Sequence, residues 1–187
     1  MTVYSAKKIF VESMPVVTVS VVIGLVAGVV LESWVKTLVS MPFLLMLIPP
    51  LNKMGGDFGI VISSRLSTAL HLGTVRPKLE PNPVLTQNLL GVLAVALASS
   101  AYVALAVYAS AALAGVPTLP PHQVLILCML VGGVLSLTIV ATGVVCAIAS
   151  YAYGWDPDNT VIPIVTSVAD VVGVVSLMAL VRALAIA

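Results

Sequence analysis

The chain has 187 residues, 60% of them apolar and 8% charged, with a mean hydropathy of +1.20 and a net charge of +1. A soluble domain carries about 25% charged residues, so this composition cannot supply a water-facing surface. It excludes a soluble enzyme and a disordered chain, and the near-zero net charge offers no field for a nucleic acid.

What remains is an all-α membrane protein. A bilayer core about 30 Å thick needs about 20 apolar residues in a helix. Five spans are predicted, over about 14–31, 39–73, 84–115, 119–153 and 157–187, in a single transmembrane domain covering 1–187. The first follows Lys7 and Lys8. Glu12 and the lack of a small-residue cleavage site distinguish it from a secretory leader. The second is unusual, because one helix over 39–73 would be about 50 Å long. It holds Pro42, Pro49, Pro50, Gly55, Gly56 and Gly59 beside Asn52, Lys53 and Asp57. Prolines remove backbone donors and glycines loosen a helix, so this span is predicted to be interrupted between Pro49 and Gly59. Irregular backbone at membrane depth survives only when buried in protein or lining a watery cavity. The third and fourth spans contain no Asp, Glu, Lys or Arg. Cys128 and Cys146 lie in the fourth without disulfide or zinc spacing and read as small core residues. The fifth, from Val161 onward, is equally apolar apart from Asp170 and Arg182.

Five crossings place the termini on opposite sides. A cytoplasmic N-terminus puts Lys7, Lys8, Arg65, Arg76 and Lys78 inside, and Lys36 and Arg182 outside. The positive-inside rule favours that orientation, with the C-terminus outside the cell membrane. Trp34 and Trp155 fall at span ends and read as interfacial anchors.

Ionisable residues within spans are the informative ones, because each costs about 2.5 to 3.5 kcal/mol at a helix centre. Asp170 is the strongest case, with no cation within two turns on its own helix. Thr166 and Gly173 share its face, and Asn159 and Pro163 extend the stripe. Pro163 leaves the Asn159 carbonyl without its helical donor. A carboxylate, a hydroxyl and a spare carbonyl on one face suit a hard cation; the alternative is a hydrogen-bonded carboxyl joining two helices. Asp156, Pro157 and Asp158 read as a helix cap with a dipole-complementing acid. With Asn159 they also form an acidic mouth that would concentrate divalent cations. Asp57, after Gly55 and Gly56, serves either ion coordination or close helix packing. Arg65 is expected to snorkel to the interface, while Lys53 either pairs with a carboxylate or points outward.

The segment GWDPDNTVIPIVTSVADVVG (Gly154 to Gly173) resembles the last transmembrane helix of the MgtE-type magnesium transporter family and its eukaryotic solute-carrier relatives. PPLNKMGGDFGIVISSRLSTALHLG (Pro49 to Gly73) resembles the family's proline-led, glycine-rich second helix. The resemblance implies a five-helix domain forming a two-fold homodimer, with the ion path between protomers lined by the second and fifth helices. It places the magnesium-binding aspartate at Asp170 and the glycine pair at Gly55 and Gly56. Asp57 stands where the family often has Asn, and the cytosolic sensing domains of bacterial members have no counterpart in these residues.

The expected function is passage of a hydrated divalent cation, Mg²⁺ first among Mg²⁺, Mn²⁺, Co²⁺, Ca²⁺ and Zn²⁺, with Asp170 as the central ligand. Thr166, Asn159, Asp57, Asp158, Gly55 and Gly56 complete the expected metal site. The ion is cargo, and no cofactor is expected. The expected partners are the ion, the lipid bilayer and a second copy of the chain, with no nucleic acid. One alternative is a Na⁺- or H⁺-coupled exchanger, using an aspartate pair that shares a proton. A more remote one is an intramembrane aspartyl protease built on Asp57 and Asp170, although Met54 and Ala169 depart from that pattern. A non-catalytic membrane scaffold is a further alternative.

Overall fold

A computed structural model describes residues 5–78, 80 and 82–184. Among these, the chain forms six helices: α1 (Ala6–Ser33), α2 (Val35–Ser40), α3 (Pro42–His71), α4 (Pro83–Leu113), α5 (Pro121–Ala152) and α6 (Pro157–Ala183). The boundaries follow from local chemistry. Proline opens α3, α4, α5 and α6, where its missing N–H costs nothing. The Asn82 carboxamide caps α4 by accepting from the Val84 amide at 2.8 Å, and the Asp156 carboxylate caps α6 by accepting from the Asp158 amide at 3.0 Å. Gly73, Gly115 and Gly154 follow the ends of α3, α4 and α5 with φ of 70°, 66° and 76°, a left-handed turn that favours glycine.

Helices α1, α4, α5 and α6 are long and apolar enough to cross a membrane. The 30-residue α3 has the length, about 45 Å, but Asn52, Lys53, Asp57 and Arg65 make it more polar than the others. The expected interruption between Pro49 and Gly59 is not observed. Helix α3 is continuous, and the break falls before it, at Met41 between the short α2 and α3. Pro49 and Pro50 withdraw the helical donors of only two carbonyls, those of Leu45 and Met46. The glycines stay helical because neighbouring helices pack against them. A Cβ on Gly55 would stand 3.1 Å from both Ala169 and Leu135, and one on Gly59 would stand 2.5 Å from Val165. The four-residue spacing of these glycines lets α3 sit close against α6, the small-residue packing common between membrane helices.

The core lies where α3, α5 and α6 meet, with Leu51, Ile62, Leu135, Ile139, Val165 and Leu177 fully enclosed. Helix α4 covers α3 and α5, and α1 lies along α6 alone apart from its junction with α2. Most of α1 is apolar side chain facing outward, including Phe10, Leu25 and Val29. One polar clasp fixes it. The buried Glu12 carboxylate accepts from the Asn159 side-chain amide at 2.9 Å and the Asp156 backbone amide at 3.2 Å, with Lys8 3.6 Å away. Truncation in Glu12→Ala strands both donors and is expected to destabilise the protein by about 1–3 kcal/mol. A lower unfolding temperature in detergent is the measurement, and Glu12→Gln, which keeps an acceptor, should recover much of the loss.

Candidate functional site

The face of α3 carrying Pro49, Asn52, Lys53, Gly56, Asp57 and Ile60 meets α6 at Thr166 and Asp170 across an open groove of about 530 Å³. Successive steps of three and four residues put these α3 positions on one side of the helix. Asp57 and Asp170 stand near the midpoints of their helices, so the groove's acidic groups lie at mid-bundle depth. The Thr166 hydroxyl donates to the Ile162 carbonyl at 2.9 Å, which spends its proton and leaves oxygen lone pairs toward the groove. Lys53 and Asp57, one helical turn apart, form an ion pair on the groove's open edge. Asp170 has no cationic partner among the described residues, so nothing in the groove compensates its carboxylate when it is ionised.

Asn52 connects the two walls and was not singled out by the sequence. Its Oδ1 is buried with no hydrogen-bond donor and lies over the bare Cα of Gly173, while its amide faces Asp170. Gly173 therefore makes room for Asn52, which lines the groove beside Asp170. The signal that exposes it is its place between Pro49 and Gly56 on the α3 stripe, four residues before Gly56.

The sequence-derived residues thus fall into three groups. Asp170, Thr166, Asp57 and Gly56 line the groove. Gly55 lies behind it, in the α3–α5–α6 contact. Asp158 and Asn159 sit at the start of α6, where Asn159 holds Glu12 and Asp158 faces Ser67 and His71 of α3. His71 also packs edge-on against Tyr151 at 5.3 Å between ring centres. Among the described residues, no three His, Cys, Asp or Glu side chains cluster closely enough to enclose a metal ion.

Membrane-length helices around a polar, carboxylate-bearing groove are the features of a polytopic membrane transport protein. Residues 48–180 match the MgtE divalent cation transporter family, and the chain belongs to that family. Searches of curated proteins and of solved structures give no match. Membership makes this a multi-pass membrane protein of a divalent cation transport family, not an enzyme, and the aspartyl protease reading falls. The cation is cargo and no cofactor is implied.

Proposed function

We propose that residues 1–187 form one five-span transmembrane domain that conducts hydrated Mg²⁺ through a pore between two copies of the chain. The observation that carries this is the α3–α6 groove, with Asp170 at mid-bundle depth on a face left open by the protomer's own helices. A carboxylate facing hydrocarbon is costly, and a second copy related by a two-fold axis along this groove would cover it and bring two Asp170 side chains to one site. Mg²⁺ dehydrates reluctantly and is usually held by one or two carboxylates with several waters retained. Two uncompensated carboxylates balance its charge, and the absence of a three-ligand cluster within the described part of one protomer fits an ion held through its water shell.

The ends of the helices support α3 as the fifth span. Glu12 near the start of α1 bonds the start of α6, and His71 at the end of α3 touches Tyr151 near the end of α5. The chain leaves this end of the bundle in α1 and returns to it in α3, so α3 traverses the full thickness. This end carries Lys7, Lys8, Arg65, Arg76 and Lys78 and is assigned to the cytoplasm, with the C-terminus outside. In this scheme Asp170, Thr166, Asp57 and Gly56 face the ion. Asp158 and Asn159 lie at the cytoplasmic mouth, and Gly55 sets the close approach of α3 to α6.

The test is Mg²⁺ uptake by the purified protein in liposomes under imposed gradients. Uptake that follows membrane potential and ignores Na⁺ and pH gradients is expected. No uptake overturns the transport reading, and dependence on either gradient replaces the pore with a coupled exchanger. Lys53 supplies an internal check. Lys53→Met frees Asp57 and is expected to lower the half-saturating Mg²⁺ concentration about two- to fivefold, within the range of exposed ion pairs. Asp57→Asn leaves Lys53 unpaired and should shift it upward. Shifts in the same direction would show that the pair does not set the groove's charge.

A further inference from the structure

The opposite flank of α3 carries a second constellation. Between α3 and α4 lies a slot of about 220 Å³ whose walls are Phe58, Val61, Gly91, Val92 and Val95, apolar throughout. Its polar end is Arg65, whose guanidinium donates to the Asn88 carboxamide oxygen at 3.1 Å. Arg65 and Asn88 also line an adjoining, more open cavity of about 350 Å³ with Ser64, Thr68 and Thr74. The two spaces therefore form one amphiphilic groove, greasy on one side of the Arg65–Asn88 pair and polar on the other.

Several features define what fits there. No carboxylate pairs with Arg65 among the described residues, whose ion pairs are Lys8–Glu12 and Lys53–Asp57. The bond to Asn88 occupies one guanidinium N–H; the other guanidinium donors and the Asn88 amide remain available. The nearby Ser64 and Thr68 hydroxyls donate to backbone carbonyls of α3, so Arg65 and Asn88 are the donors the groove presents. Arg65 lies six residues from the end of α3 and Asn88 five from the start of α4, about 8–9 Å inside the helix ends. The connection just beyond adds exposed Arg76 and Lys78 against one acid, Glu80. Positive charge next to an apolar slot, near the ends of two helices, has the chemistry of sites that hold lipid head groups between membrane helices.

We propose that this groove is a binding site for an anionic phospholipid. Arg65 and Asn88 hold its phosphate, and an acyl chain lies in the slot against Phe58, Val61 and Val92. Gly91 lines the slot, and a Cβ there would meet no atom within 4 Å, so the space beside it is open for the chain of a lipid. The site lies on the α4 side of α3, and a further cavity lined by Lys53, Asp57, Phe58, Val61 and Val95 separates it from the α3–α6 groove.

Native mass spectrometry of the full chain, released from detergent containing phosphatidylglycerol, phosphatidylcholine or inorganic phosphate, tests it directly. Phosphatidylglycerol adducts should outlast phosphatidylcholine adducts, and millimolar inorganic phosphate should not displace them. Arg65→Gln should weaken phosphatidylglycerol binding about fivefold, the effect of one interfacial basic residue, and Arg65→Lys should retain part of it. Gly91→Leu should weaken binding comparably while leaving Arg65 in place. It enters open space and improves helix propensity, so its melting temperature should not fall and loss of fold is separable from loss of lipid. Equal retention of the two lipids, or unchanged binding by both Arg65→Gln and Gly91→Leu, overturns the proposal. Displacement by inorganic phosphate would make this a free-anion site and overturns it equally.

Discussion

Asp170→Ala should reduce Mg²⁺ uptake in proteoliposomes about ten- to a hundredfold, the usual effect of losing a group that acts on a metal through an outer shell. Its effect on stability should have the opposite sign. A carboxylate at the centre of α6, with no cation beside it among the described residues, is expected to cost stability. Its removal should leave the melting temperature in detergent unchanged or raise it. Asp170→Asn separates charge from shape: it keeps a polar group opposite Asn52 yet withdraws the negative charge, so it should transport as poorly as the alanine variant. Wild-type uptake by either variant would remove Asp170 from the pathway. Reduced uptake together with a lower melting temperature would instead indicate a carboxyl that joins helices.

The second large effect is expected at Gly173. A side chain there would collide with the Asn52 carboxamide, because Oδ1 occupies the space a Cβ needs. Either Asn52 swings into the groove or α6 moves away from α3, and overpacking of this kind costs about 1–3 kcal/mol. Gly173→Ala should therefore lower both the melting temperature and the uptake rate. The collision is with one side chain, so Asn52→Ala in the same chain should restore much of the stability. It should not restore uptake, since the polar side chain beside Asp170 is then missing. Directly contacting residues show such non-additivity, and a double-mutant cycle measures it. Simple additivity of the two stability changes would show that Gly173 and Asn52 do not meet.

The sequence made some of this architecture legible and hid the rest, for identifiable reasons. Both ends of α4 and α5, and the start of α6, lie within about two residues of the predicted limits, because proline, asparagine or aspartate starts these helices and glycine follows α4 and α5. Residues 185–187 of the last predicted span lie outside the described residues. Helix α1 starts earlier than expected, at Ala6, since Lys7, Lys8 and Glu12 made that stretch look like a polar approach, whereas Glu12 is in fact bound to α6. The misplaced break in α3 has a similar origin. Two prolines and three glycines argue against a helix only while the helix is considered alone. Packing against Ala169, Leu135 and Val165 is a tertiary effect that a linear reading does not contain. Asp170 was visible because charge is rare in such a chain. Asn52 was not, because its importance lies in which atoms it meets, Gly173 on one side and Asp170 on the other.

The arrangement of α1 bears on how the molecule is made. Among the described helices, the first to leave the ribosome finds its long flanking neighbour only in α6, which is synthesised after α3, α4 and α5. Until then Glu12 has no Asn159 to bind, and the outward face of α1 has only lipid around it. Docking of α1 onto α6 therefore waits until α3, α4 and α5 have been made. Chains stalled before α6 would carry a Glu12 carboxylate without its two α6 donors.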